Sequence, residues 1–202
     1  MEELKGWFLY EGIMTQQHEN ISPIFKELFN TTNPKQILEI GTAFGGLTLL
    51  LRNLLNSMSM ENTKFISYDV TEKHSLFEYM ETNNNLEVRI ENIFGPGYSS
   101  ILNETEIKNY IQQDGTTIVL CDGGQKKHEF NLLSKLLKPG DIIMAHDYGP
   151  NVDYFNNNIV NKIWNWLEIQ DSDIEVCCIE NNLSPFMSDE FTQVVWVCKI
   201  KN

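Results

Sequence analysis

The sequence predicts an α/β fold, a doubly wound and mostly parallel sheet of seven strands with helices on both faces. Three observations predict it. Short apolar runs alternate with amphipathic stretches along most of the 202 residues. Several runs end in an acidic residue, and a Gly-rich turn follows the first. The last two runs have no helical pattern between them, which suggests a closing antiparallel hairpin on an otherwise parallel sheet. The length suits one domain spanning 1–202, and 42% hydrophobic residues is an ordinary globular share.

Taken in order, residues 1–34 read as a helical N-terminal extension, because Ile21, Ile24, Phe25, Leu28 and Phe29 share one helical face. The core, 35–202, has strand-like runs at 36–41, 64–70, 86–93, 116–122, 141–147, 174–180 and 193–200, rich in Ile, Val, Leu and Phe. Helical spacing fills the gaps at 46–56, where Leu47, Leu50, Leu51, Leu54 and Leu55 recur, and at 72–80, 98–111, 127–137 and 158–167. Lys138-Pro139-Gly140-Asp141 ends one helix and starts the next strand. Residues 181–190 read as a loop. Cys121, Cys177, Cys178 and Cys198 all fall in strand-like runs without metal-ligand spacing, which implies reduced, buried thiols.

The most informative segment is Ile37-Leu38-Glu39-Ile40-Gly41-Thr42-Ala43-Phe44-Gly45-Gly46. A ligand in an open α/β sheet binds beyond the carboxyl ends of the strands, where glycines admit close backbone approach. The dinucleotide fingerprint G-x-G-x-x-G is broken here by Ala43. An acid on the first strand, Glu39, suits a cationic ligand better than a polyphosphate. The second run delivers Asp69, with Val70 beside it, to a position from which a carboxylate accepts ribose hydroxyls. The same residues also permit plainer readings, a turn that needs glycine and an acidic helix cap.

Glu39-Ile40-Gly41 followed by Gly45 resembles the first motif of class I S-adenosylmethionine-dependent methyltransferases. The resemblance implies strand order 3-2-1-4-5-7-6 with the last strand antiparallel. It implies that Glu39, Gly41, Thr42, Ala43 and Gly45 hold the methionine end, that Asp69 and Val70 hold the ribose, and that Asn92 and Ile93 meet the adenine. Asp122, after the fourth run, would lie nearest the transferred methyl group. His146 and Asp147 emerge together from the fifth run, so Asp122, His146 and Asp147 can converge on adjacent strand ends.

This layout is similar to the small-molecule O-methyltransferases, both the catechol-type enzymes and the macrolide-sugar and cephalosporin-hydroxylase-like group. Those families imply a divalent metal, Mg or Mn, held here by Asp122, His146 and Asp147; a histidine in the set tilts the preference toward Mn, Fe or Zn. A metal-free mechanism stays open, with His146 as general base oriented by Asp122 or Asp147. Strand alternation would turn Asp147 away from His146. The catalytic lysine of the catechol-type pattern falls on Gln125, with Lys126 one position later; Lys126–Glu129 read as surface charge at a helix start, while lysine in a first turn, where the helix dipole disfavours cations, leaves open a role near cofactor or substrate. Gln16, Gln17, His18 and Glu19, the segments 148–155 and 181–189, and the aromatics Tyr148, Tyr154, Phe155 and Phe186 are candidates for the acceptor side.

The net charge of −13 disfavours nucleic acid and anionic membrane surfaces as partners. No run approaches the ~20 apolar residues of a membrane span, and the start of the chain does not resemble a signal peptide. The expectation is a cytoplasmic enzyme acting on a small-molecule acceptor, with self-association left open. Two other classes remain at this point: an NAD-dependent oxidoreductase and a non-catalytic nucleoside-binding protein.

Overall fold

Glu11 and Gly12 both take positive φ (49° and 81°), the two-residue turn that closes a right-twisted hairpin. It joins strands Phe8–Tyr10 (β1) and Ile13–Thr15 (β2), which pair antiparallel with Phe8 opposite Thr15. The helix Ile21–Thr32 (α1) follows, burying Ile21, Phe25, Leu28 and Phe29. Among its described residues the N-terminal extension is therefore α-helical only over this span, and a hairpin stands where helix was expected before it. The computed structural model describes residues 5–72 and 85–202. The helix expected at 72–80 falls, Glu72 apart, outside the described residues.

The core alternates as the sequence predicts. Strands Gln36–Ile40 (β3), Lys64–Asp69 (β4), Leu86–Ile90 (β5), Thr117–Cys121 (β6) and Ile142–Ala145 (β7) run parallel. Helices Gly46–Ser57 (α2), Glu104–Ile111 (α3) and Lys126–Leu133 (α4) flank them. After β7 come a short helical turn Val152–Tyr154 (α5) continued by a π-helix at Phe155–Ile159, then Asp171–Glu180 (α6), Leu183–Pro185 (β8), Ser188–Thr192 (α7) and Val197–Lys201 (β9). The sheet order is β5-β4-β3-β6-β7-β9-β8, with β9 antiparallel to both neighbours. Counted from β3 this is the expected 3-2-1-4-5-7-6.

The central strands β3, β6 and β7 are buried along their length and mostly apolar because both faces are covered, with Glu39 of β3 the buried acid. Ile37, Ile118, Leu120, Ile142 and Met144 pack with α1 and α2 against Phe25, Phe191 and Trp196. Their neighbours Leu38, Val119, Cys121, Ile143 and Ala145 point the other way, toward Ile107, Phe130, Leu133 and Ile174. Each fully buried large side chain contributes about 1.5–3 kcal/mol. Successive connections leave β3 on opposite sides, so a crevice opens between the carboxyl ends of β3 and β6.

The sequence reading needs correction at several elements. Residues 174–180, expected as a strand, lie in helix α6. Ile174 and Cys177 are buried three positions apart, whereas Val176 and Ile179 are 66% and 74% exposed. Gln170 and Asp173 form a capping box that fixes the helix start. Cys177 and Cys178 are thus helical, and Cys177 Sγ lies 2.9 Å from Ser134 Oγ. The sixth core strand is β8, inside the segment expected as a loop, where α7 also begins. The last strand begins at Val197 rather than at residue 193. At 98–111 the helix starts only at Glu104, after a 3-10 turn Pro96–Tyr98 and the Phe94–Ile101 bridge. At 158–167 the helical pattern gives way after Ile159 to an irregular segment that buries Trp164 against Phe155, Ile159 and Val195. Among the described residues no helix is long and apolar enough to cross a membrane.

Candidate active site

Two cavities open at the carboxyl ends of the strands, and they share Gly41, Ala43 and Asp122 as a common wall. One, of about 260 Å³, lies over β4 and β5. The other, of about 210 Å³, lies over β6 and β7.

The turn between β3 and α2 builds the shared wall. Gly41 (φ 92°), Ala43 (φ 49°) and Gly45 (φ 89°) all adopt left-handed backbone, an alternation that folds the turn tightly over the strand ends. A Cβ at Gly41 would collide with the Asp122 carbonyl, so this glycine lets β3 and β6 meet at the switch point. Thr42 Oγ1 bonds Ser67 Oγ (2.6 Å) and holds the turn on β4.

Glu39 sits beneath the turn and lines neither cavity. Its Oε2 accepts from Thr48 Oγ1 (2.6 Å) and from Ser67 Oγ, whereas Oε1 is buried without a hydrogen-bond partner among the described residues. Burial pushes its carboxyl up to about 7, against the two hydroxyl donors. Glu39 therefore anchors β3, β4 and α2 to one another under the ligand turn.

The larger cavity gathers the expected nucleoside residues. Asp69 Oδ2 accepts from the Ala43 amide (2.8 Å), and Oδ1 accepts from the Thr71 amide and hydroxyl. Val70 is exposed on the rim. Asn92 caps the Phe94 amide (3.0 Å), and Ile93 and Phe94 form an apolar floor. Tyr98, stacked on Phe94 at 5.0 Å between centroids, adds an aromatic wall that the sequence reading did not single out. Glu129 lies under the wall at Gly123. It accepts from the Gly123 and Gln125 amides (3.1 and 3.0 Å), and burial pushes its carboxyl up to about 7.

The smaller cavity is built on ion pairs. His146 Nδ1 lies 3.2 Å from Asp122 Oδ1 and 3.3 Å from Asp147 Oδ1. Asp147 takes a left-handed φ of 56°, which breaks strand alternation and turns its carboxylate back toward His146; the expectation that the two face apart is corrected. Trp164 Nε1 donates to the same Asp147 oxygen. Trp164 and Trp196 flank the imidazole at 5.4 and 5.0 Å. Burial works to lower the His146 pKa, but the carboxylates of Asp122 and Asp147 outweigh it and the net shift is upward.

Lys126 is the largest departure from the sequence reading. It is buried rather than solvated. Its Nζ lies 2.8 Å from Asp147 Oδ2, donates to the Gly123 carbonyl (2.8 Å), and approaches Glu168 (3.4 Å) and Asp122 (3.8 Å). Lys127 and His128, in contrast, stay on the surface. Gln17 reaches in from the N-terminal segment: its Nε2 donates to Asp122 Oδ2 (2.8 Å) while its Oε1 accepts from Trp196 Nε1 (2.7 Å). The segment seats there because residue 46 is glycine; a Cβ would fall into Thr15 Oγ1 and the Met14 carbonyl. Gln16 also lines this cavity, but His18 and Glu19 do not. Tyr148, Tyr154, Phe155 and Phe186 line neither cavity and pack elsewhere. Their place is taken by Met14, Phe44, Trp164 and Trp166. The pair Trp164-Asn165-Trp166 was the available signal, masked by the helical spacing assigned to that stretch.

The family profile described as Rhamnosyl O-methyltransferase/CmcI matches residues 8–166. The chain belongs to that family. The match runs from β1 through Trp166 and so includes the residues that line both cavities except Glu168. Solved structures agree in fold. An apo structure of CmcI superposes with a TM-score of 0.67 at 14% identity, covering 96% of this chain and 76% of that one. The Mg-SAM structure of CmcI gives 0.63 at 15% identity, with 96% and 76% covered. A putative caffeoyl-CoA O-methyltransferase from Staphylococcus aureus gives 0.56 at 16% identity, with 90% and 83% covered. No curated protein matches the chain by sequence.

Proposed function

We propose that this O-methyltransferase-family chain acts as one catalytic domain that moves the methyl group of S-adenosylmethionine to a hydroxyl oxygen of a small molecule. The observation that carries the reading is the pair of cavities meeting at Gly41, Ala43 and Asp122, one with a strand-end carboxylate and an apolar floor, the other with a buried acid–base cluster. The residues fit the nucleoside. Asp69 retains acceptor capacity for ribose hydroxyls, Ile93, Phe94 and Tyr98 offer faces to a base, and the left-handed turn at 41–45 admits an amino-acid end. When bound, S-adenosylmethionine supplies an electrophilic methyl carbon on a sulfonium.

The chain's own residues then align the acceptor and take its proton. The two carboxylates facing His146 Nδ1 hold the ring proton there and leave the lone pair on Nε2, the atom we assign as proton acceptor. Asp122, on the shared wall, orients the acceptor hydroxyl, and Gln17 fixes Asp122. Lys126 balances the charge of Asp147 and Asp122, so that the cluster stays folded and dry.

A divalent ion is the second group implied, since one of the similar CmcI structures is a Mg-SAM structure. Asp122, His146 and Asp147 are the donors that would hold one, and it would lower the pKa of the acceptor hydroxyl. Among the described residues no three such side chains stand ready as a ligand set, and Lys126 already places a positive charge on the same carboxylates.

Calorimetric titration with S-adenosylmethionine, S-adenosylhomocysteine and NAD tests the reading. The first two are expected to bind with one site per chain and NAD not at all. Binding of NAD alone, or of none, would end the proposal. Detection of the demethylated product in the presence of acceptors separates an enzyme from a nucleoside-binding protein.

A further inference from the structure

We infer that the acceptor presents to the smaller cavity a single hydroxyl-bearing ring with no negative charge. The inference rests on the methyl-transfer reading and concerns what the smaller cavity admits. Three features of that cavity set the class.

Size comes first. About 210 Å³ must take both the amino-acid end of the nucleoside, along Gly41–Gly46, and the reacting part of the acceptor. One ring fits in what remains; a fused or chain-extended skeleton has to project outward.

The second feature is the rim. Trp166 is 56% exposed and Met14 is 36% exposed, yet both border this one opening. Trp166 stands 4.9 Å from Trp164 between ring centroids at 59°, forming an open V above His146. Large apolar side chains grouped at a cavity mouth offer faces to a ring, aromatic or sugar, and lose their exposure only when it is seated.

The third is charge. The ionisable lining comprises Asp122, Asp147 and Glu168 against Lys126 and His146, with no arginine. Lys126 is already engaged by all three carboxylates, so among the described lining residues no cationic side chain is left over to pair with a carboxylate or phosphate on the acceptor. Glu168, at the outer edge, is placed to favour a cation. Like charges brought together at a binding face are strongly disfavoured.

The test uses isosteric probes that differ in charge: tyrosol, tyramine and p-hydroxyphenylacetate for an aromatic ring, and methyl glucoside against methyl glucuronide for a sugar ring. Each is titrated calorimetrically into the full chain, with and without S-adenosylhomocysteine. The expected result is saturable binding of the neutral or cationic member of at least one pair, with the anionic member weaker by about tenfold or more. Trp166→Ala, at an exposed position, should weaken that binding by about tenfold, with S-adenosylhomocysteine affinity unchanged. Equal or tighter binding of an anionic member, or no binding by any probe, overturns the inference. S-adenosylhomocysteine binding in the same sample reports separately on the methyl-transfer reading, and its loss would leave the charge order among the probes to be judged by itself.

Discussion

The two cavities that meet at Asp122 are constructed by different means. The one over β4 and β5 is lined mostly by strand-end residues and the turns that follow them, and its carboxylate, Asp69, is bonded to amides within and beside those turns. The one over β6 and β7 collects side chains from the N-terminal segment, the β3–α2 turn, the start of α4, the end of β7 and the Trp164–Glu168 stretch, tied by ion pairs between residues distant in sequence. A site made of strand ends inherits its geometry from the sheet. A site made of buried opposite charges exists only while every partner is present, because each charge left alone is costly.

The largest expected effect comes from breaking the second construction. Lys126→Met leaves Asp122 and Asp147 without their cation, and stability should fall by about 3–5 kcal/mol, read by urea unfolding. Under conditions where the variant is folded, S-adenosylhomocysteine affinity should change less than about threefold while methyl transfer is lost. Equal losses on both sides would erase the distinction between the cavities.

The next effect concerns the shared floor. Glu39 has its folded pKa raised, from 4.5 to about 7. Its favourable contribution is fully present below the unfolded pKa and is lost as pH rises from about 4.5 through about 7. The span corresponds to about 3 kcal/mol. Glu39→Gln should flatten the stability profile over that window, seen in thermal unfolding at pH 5 and pH 8. A variant with the same slope as the parent would mean that Glu39 is ionised in the fold.

The smallest effect sharpens the first construction. Asp69→Asn removes the negative charge but not the shape of the ribose end, and should weaken S-adenosylhomocysteine by about tenfold with acceptor-probe binding unchanged. If the acceptor probes weaken equally, the two cavities are coupled through the Ala43 amide rather than separable.

Legibility in the sequence followed the same division. Asp69, Asn92, Ile93 and the turn from Gly41 to Gly45 lie together at the strand ends where the sequence places them, because a motif local in sequence stays local in space. The pairing of His146 with Asp147 was obscured by assuming strand alternation, which the left-handed φ at Asp147 breaks. Lys126 read as surface charge, because its neighbours Lys127 and His128 are on the surface and nothing local marks one lysine of a pair as buried. Trp164 and Trp166 were hidden inside a helical spacing. The misread at 174–180 has the same origin: Ile-Glu-Val-Cys-Cys-Ile is strand-like by composition, and the cap at Gln170 with Asp173, together with one buried face, made it a helix.

By itself the sequence determined the order of elements around the crevice, the sheet that carries them and the turn over its switch point, since these follow from apolar periodicity and from where glycine and acids punctuate the strands. Only the tertiary structure decided which charges share the smaller cavity, that the segment after the hairpin holds Asp122 through Gln17, and that a lysine lies buried among carboxylates. The physical reason is that hydrophobic patterning acts over neighbouring turns of chain, whereas an ion pair is defined by distances that exist only once remote segments have packed.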